Sequence, residues 1–503
     1  MRAKKSFINL FFNLVQQFIG IIIGFVLPPL IITNYGSGIN GLVQTIKQIV
    51  TYAQTTGAGI ASASTYVMYE PLAKKNYKKL SGIFAATKKM FIKAGNYASL
   101  IMLMVAFIYP IFVSKDVNPI ISVSLVILLG MCGVSEFYFI GKYQALFSAD
   151  QKNYLVSIAQ ALGNIFNITI SVILIKLKCN IVLVEFGAMA VYITRVIFLW
   201  GHFRKHYTFI DKNAKPLDGS ISQRKDAVVH EITALVVNNS SVVLISLLLG
   251  LTNASIFSIY LLVFSGLNMI SSIVSNGIYA SFGDVIAKNE KEVLDRTYNI
   301  FEWAFLIGEF IIYTVTFIMI MPFISIYTRN MTDVNYSLPL LGYLFVLLGI
   351  VNCVKTPPRM LVVASGKFKE TKKYTLTEML ICIIGQLILI PIFGIYGAIL
   401  GNLLAYIYRT INFFWYSNKF ILNISSKRVI KRLIALTIPS VLICFSSTFI
   451  NITATGYLEW VLIAIIVFTL SSLLIGTVGI LVDKETFKDF LKVFKSIIKS
   501  SKE

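Results

Sequence analysis

The sequence predicts an all-α polytopic membrane protein. Fourteen transmembrane helices form two six-helix repeats, related by a parallel pseudo-two-fold axis, with two further helices after them. Three observations predict this. Of the 503 residues, 56% are hydrophobic and 14% charged, where a soluble globular chain carries about 25% charged residues. Apolar runs long enough to cross a bilayer, roughly 20 residues, recur from end to end. Two segments 214 residues apart are nearly the same: VYITRVIFLW (191–200) and AYIYRTINFF (405–414) share Tyr-Ile-x-Arg-x-Ile and place Arg195 over Arg409. The period-2 alternation of an outer-membrane barrel is absent.

The apolar segments run at 7–32, 38–67, 94–114, 119–147, 152–176, 181–201, 227–249, 254–282, 298–328, 336–364, 374–392, 395–420, 433–452 and 457–481. The first follows Arg2, Lys4 and Lys5 like a secretory signal, but its run is too long and no small-residue cleavage site follows, so it reads as span 1. With the N-terminus in the cytosol, Lys115, Lys176, Lys178 and Arg329 fall outside and Lys47, Arg195, Lys355, Arg359 and Arg409 fall within spans. The rest of the 45 lysines and arginines lie on the cytosolic side, which fixes the orientation and puts both termini in the cytosol. The net charge of +22 therefore records orientation and contact with anionic lipid, not a nucleic-acid partner.

The offset of 214 recurs: LAKKNYKKL (72–80) lies over IAKNEKEVL (286–294), Gly36 over Gly250 and Gly187 over Gly401. With a small shift SKDVNP (114–119) answers MTDVNY (331–336). The expected organisation is an N-terminal six-helix lobe (1–206), a cytosolic linker (207–226) with Lys-Pro and Asp-Gly, and a C-terminal six-helix lobe (227–425). Two last helices (426–481) and an amphipathic cytosolic tail (482–503) follow. The tail places Phe487, Phe490, Leu491, Phe494, Ile497 and Ile498 on one face and lysines on the other, as a helix on the inner leaflet does. Six spans per repeat give both copies one orientation, and transporters built from such repeats bind near the midplane between lobes.

Polar side chains in spans mark the expected cavity, because they are expensive in hydrocarbon and face protein or water. Span 1 carries Asn13 and Gln17, and span 2 Gln44, Lys47 and Gln48. Their counterparts carry Asn238, Asn239 and Asn268. The small residues between them fit tight helix packing equally well. Lys47 is about nine residues into its span, and spans 1 and 2 hold no acid to neutralise it, so either an anionic ligand or a counter-charge from another span is required. Asn352, Lys355 and Arg359 share a helical face, with Glu309 the expected ion-pair partner of one of them or a coupling carboxylate. Arg195 is near enough to Trp200 to anchor at the interface, whereas Arg409 is deeper and lines the cavity. Glu136, Glu231, Glu302 and Glu378 are expected to pair with local lysines. The five cysteines read as small buried hydrophobes, and His202 and His206 as solvated side chains without a third metal ligand. No nucleotide-binding loop and no nucleophile with a neighbouring base occurs, so neither an enzyme nor a metal or cofactor is expected.

The segments NYGSGINGLVQTIKQIVTYAQTTGAGIASAS (34–64), EPLAKKNYKKLSGI (70–83), ADQKNYLVSI (149–158), HYTFIDKNAKP (206–216), DVIAKNEKE (284–292), MTDVNY (331–336) and YRTINFFWY (408–416) carry a family likeness. Together with the six-plus-six-plus-two layout they resemble the bacterial polysaccharide flippases (Wzx-type) of the multidrug/oligosaccharidyl-lipid/polysaccharide exporter superfamily. The resemblance runs to about residue 420. It implies a flippase of the bacterial cytoplasmic membrane that moves an undecaprenyl-diphosphate-linked oligosaccharide outward for surface polysaccharide synthesis. A polysaccharide polymerase is an implied partner. It also implies a cationic cavity, for which Lys47, Lys355, Arg359 and Arg409 are the candidates. The alternatives are a cation-coupled multidrug exporter, a peptidoglycan-precursor (lipid II) flippase, and a scaffold for glycan enzymes.

Overall fold

The computed structural model describes residues 2–211, 213–217, 225–288, 290–450 and 452–500. The linker's Asp-Gly pair at 218–219 and the side chains of Lys4, Lys5, Phe494, Ile497 and Ile498 lie outside the described residues.

Among the described residues there are helices and no strands. The chain runs through α1 (Arg2–Tyr35), α2 (Ser37–Ala73), α3 (Tyr77–Val113), α4 (Pro119–Ser135), a π-helical turn (Glu136–Ile140), α5 (Gly141–Ala149), α6 (Tyr154–Lys176) and α7 (Ile181–His206). It continues through α8 (Lys225–Leu248), α9 (Leu251–Ala287), α10 (Lys291–Tyr327), α11 (Pro339–Ala364), α12 (Phe368–Phe393) and α13 (Ile395–Tyr416). A second π-helical turn (Ser417–Leu422), α14 (Lys427–Ser447), α15 (Tyr457–Val482) and α16 (Lys484–Ser500) complete it. Counting α4 and α5 with their π-turn as one, 12 helices are long and apolar enough to cross a membrane. The other two long helices, α2 and α13, fall short because they carry the polar stripes: Gln44, Lys47, Gln48 and Thr51 on one, Asn402, Arg409 and Asn412 on the other.

Local sequence sets the helix ends. Asn76, Asn118 and Asn180 cap α3, α4 and α7 by accepting from Lys79 N (3.0 Å), Ile120 N (2.9 Å) and Val182 N (3.1 Å), which satisfies donors that a helix N-terminus leaves open. Gly36 and Gly250, the pair at offset 214, both turn the chain with positive φ (87° and 91°) directly before α2 and α9. Only glycine does this without strain.

Contacts divide the chain into two compact units, Met1–Ile259 and Tyr260–Glu503. In the first, α8 and the opening turns of α9 belong with α2 and α3. Asp116 accepts from Leu251 N (2.7 Å), Asn40 donates to Ser255 (2.8 Å) and Tyr109 to Ser246 (3.1 Å). Gly41 lies so close to the Leu251 carbonyl that a Cβ would stand 1.9 Å from its oxygen. This is the small-residue approach by which helices pack without a hydrophobic drive between them. The core of this unit joins Leu42, Ile46 and Val50 of α2 to Leu125 and Leu129 of α4 and Val184 of α7.

In the second unit, α10 is the central helix, flanked by α11, α14 and α15. Arg432 of α14, 3% exposed, gathers the ends of three helices. It donates to Glu302 (3.0 Å) of α10, to Asp483 at the α15–α16 junction, and to Thr486 (3.1 Å) of α16. Glu302 does not pair with a local lysine; it is fully buried against Arg432 and Tyr298 (2.6 Å). The apolar face of α16 begins on the protein: Phe487 and Phe490 pack 5.9 and 5.7 Å from the Trp303 ring, and Arg296 reaches Asp489 at 2.9 Å.

Two outcomes follow. Truncating Arg432 to Ala leaves Glu302 buried without a counter-charge and should cost about 3–5 kcal/mol of unfolding free energy, measured by denaturation in detergent. Burial pushes the Asp483 carboxyl up, but its bonds from Arg432 and Thr486 outweigh this and hold it below its ordinary value. Its contribution to seating α16 is therefore present above an ordinary carboxylate pKa and disappears as pH falls through the lowered one. Protection factors of the α16 amides against hydrogen exchange should fall on acidification, and Asp483→Asn should show that fall already at neutral pH.

Candidate functional site

The site is clearest in the second unit, where α11, α12 and α13 meet. Asn352, Lys355 and Arg359 fall on one face of α11 through their three- and four-residue spacing. Lys355 is 7% and Arg409 of α13 2% exposed, and both turn to Glu378 of α12, itself 8% exposed. The Lys355 ammonium stands 3.8 Å from Glu378 Oε1 and 3.4 Å from the centre of the Tyr406 ring. Arg409 presents Nε to Glu378 Oε2 at 3.3 Å and donates Nη2 to Thr375 at 2.6 Å, with its guanidinium 3.9 Å from the Phe413 ring centre. Arg359 is exposed, makes no ion pair among the described residues, and acts electrostatically on Lys355, Glu378 and Arg409. Two cations thus share one carboxylate, with a third, Arg359, in electrostatic reach. Asn352 extends the polar seam by donating to Asn268 of α9 at 2.7 Å.

The backbone beneath is held tightly. A Cβ on Gly385 would lie 3.3 Å from Gly401 Cα, so α12 and α13 touch main chain to main chain. Fully buried Gln386 donates to Asn402 (2.8 Å), which also accepts from the Cys382 thiol (3.0 Å). This clasp fixes the register that brings Glu378 to Arg409.

The expectation that Glu309 pairs with Lys355 or Arg359 is overturned. Glu309, 5% exposed, accepts from Cys353 at 3.0 Å, and Lys355 goes to Glu378 instead. Cys353 and Lys355 are two residues apart on α11 and point to different faces, so a partner for one is out of reach of the other. Glu378 likewise does not pair with lysines near it in sequence.

In the first unit the repeated arginine is closed off. Arg195, 5% exposed, takes Glu136 at the start of the π-turn through both Nη atoms, each at 3.3 Å. It packs 5.4 Å from Tyr192. Lys47 is partly exposed and its ammonium has no ion pair among the described residues; Gln44 and Gln48 beside it are partly exposed too. Cys132 of α4 lies within electrostatic reach of both Lys47 and Glu185 of α7. Glu185 is 6% exposed and has no ion pair among the described residues, a carboxylate the sequence reading passed over. On α1, Gln17 donates to Asn13 at 2.6 Å. On α8, Asn239 donates back to Leu235 O at 3.0 Å, and Asn238 is exposed. Among the described residues no cluster of three metal-ligating side chains occurs, and His202 and His206 stack on each other at 4.1 Å.

The sequence matches no family model and no curated protein. Solved structures do match. An inward-facing multidrug resistance MATE family transporter of the MOP superfamily is 12% identical over 82% of this chain and 98% of its own, with a TM-score of 0.65. The chain shares its fold. The lipid II flippase MurJ in an inward closed conformation is 14% identical over 93% of this chain and 98% of its own, with a TM-score of 0.57. The outward-facing form of a MATE transporter is 12% identical, covers 83% and 95%, and scores 0.57.

The two arginines should respond differently to substitution. Arg195→Gln removes two charge-assisted bonds to the partly exposed Glu136 and should cost about 1–3 kcal/mol. Arg359→Gln removes an exposed, unpaired charge and should change stability by no more than about 0.5 kcal/mol. Thermal unfolding of both variants checks the contrast.

Proposed function

We propose that this chain is a flippase for a lipid-linked oligosaccharide. It would move an undecaprenyl-diphosphate-linked sugar from the inner to the outer leaflet of the bacterial cytoplasmic membrane, by alternating access through a cationic cavity. The observation that carries the reading is the charge imbalance of Lys355, Arg359 and Arg409 against Glu378. Cations in excess inside a membrane protein call for an anion, and a diphosphate supplies one. The head group cannot enter hydrocarbon unaided, because its charges and hydroxyls would lose their water. Arginine offers phosphate a planar fork and lysine a point charge. Lys47, unpaired on α2, adds a cation in the first unit, and Gln44, Gln48, Asn13, Gln17, Asn238, Asn239 and Asn268 offer hydrogen bonds to sugar. The lipid chain stays in the bilayer. In this reading α2 and α13 also span, giving two six-helix repeats and two additional helices. The matched φ of Gly36 and Gly250 supports the repeat.

Two other readings share the fold. A lipid II flippase uses the same physics with a different sugar. A cation-coupled exporter is favoured by Glu185 and Glu309, buried carboxylates with no ion pair among the described residues.

Translocation decides among them. In proteoliposomes with a fluorescent polyprenyl-diphosphate oligosaccharide on one leaflet, wild type should flip the lipid, and folded Lys47→Gln and Arg409→Gln should lose about tenfold or more of the rate, as about 1.4 kcal/mol of lost phosphate contact requires. Movement of a cationic dye against a proton or sodium gradient, with no lipid flipped, would establish the exporter.

A further inference from the structure

The anion site contains its own rival for the cations. Among the described residues Glu378 is the one carboxylate paired with Lys355 and Arg409, and it is shared between them. Arg409 splits its donors, Nε to Glu378 at 3.3 Å and Nη2 to Thr375 at 2.6 Å. Lys355 stays at 3.8 Å and spends its other side on the Tyr406 ring. The first unit pairs differently: Glu136 takes both Nη atoms of Arg195, one partner to one. The second unit does not repeat that arrangement. The position at offset 214 before Glu378 is Asn164, and those before Lys355 and Arg359 are Gly141 and Ala145, so of this group only Arg409 has a charged counterpart, Arg195.

Resting on the reading that this cluster takes a phosphoryl head group, we propose that Glu378 is an exchangeable internal counter-ion. It holds Lys355 and Arg409 while the site is empty, yields them to an incoming diphosphate, and returns to expel it. The physical argument has two sides. Without Glu378 the empty site would keep three like charges in a partly desolvated place, which is strongly unfavourable. With Glu378 left in position, a bound phosphoryl oxygen would meet a like-charged carboxylate a few ångströms away, which weakens its binding. A loosely held carboxylate satisfies both states and an ideally paired one would not. Glu378 is a positioning residue in this scheme, acting through Lys355 and Arg409.

The role predicts opposite signs for binding and for turnover, which structural damage does not produce. Full-length protein in lipid nanodiscs is titrated with inorganic diphosphate, and association and dissociation are followed separately. Glu378→Gln should bind about tenfold tighter, through slower dissociation, while flipping lipid-linked oligosaccharide more slowly than wild type. Glu378→Asp retains the charge and should stay close to wild type in both. It also serves should the glutamine variant not fold, when equal affinity and equal turnover of Glu378→Asp and Arg409→Lys, which loses the fork but keeps the charge, would count against the scheme. Wild-type or weaker affinity in folded Glu378→Gln, with binding still abolished by Arg409→Gln, would overturn the counter-ion role and leave the anion site standing. Diphosphate binding insensitive to Arg409→Gln in both backgrounds would remove the anion site and the counter-ion together.

Discussion

The contact on which the second unit depends is Glu378 held between Lys355 and Arg409. Charges placed that deep in a membrane helix need company, and one carboxylate supplies it for two side chains from two other helices. The three helices must then sit close enough for the reach to work. The main-chain approach of Gly385 to Gly401, the Gln386–Asn402 clasp and the rings of Tyr406 and Phe413 meet that need. What remains after the pairing is an excess of positive charge, and the proposed function rests on that excess.

The first unit solves the same problem the other way. Arg195 and Glu136 neutralise each other within one interface, while Lys47 is left on the polar face of α2. Its counterpart at offset 214 is Leu261, just as the counterpart of Lys355 is Gly141. Gly187 packs against α6 and Gly401 against α12, so helix packing is alike at this pair of positions while the charges at other offset-214 positions differ.

Much of this was legible in the sequence. Hydropathy marks the long helices because crossing a bilayer sets their length and polarity. The offset of 214 picks out Gly36 with Gly250 and Arg195 with Arg409, positions where backbone conformation or a buried charge leaves few alternatives. Partners were harder to read. Glu309 looked like the partner of Lys355 because it is the mid-span acid, yet it lies on the Cys353 side of α11. Glu378 looked like a surface acid because Lys372 and Lys373 precede it, but they are off its helical face and α13 supplies Arg409. Glu185 escaped notice near a helix end, where a carboxylate reads as solvated. Which face of one helix meets which face of another is set by tertiary packing, and hydropathy does not encode it. The tail shows the same limit: its amphipathic pattern fits a lipid surface, and Trp303 takes Phe487 and Phe490.

The central claim is that the cluster on α11, α12 and α13 receives a phosphoryl head group. The most direct measurement is an experimental density map of the protein in nanodiscs saturated with a short-chain prenyl diphosphate. The account predicts phosphoryl density within hydrogen-bonding distance of Arg409 and Lys355, with the Glu378 carboxylate moved off both. Phosphoryl density elsewhere, with Glu378 still between Lys355 and Arg409, would contradict it.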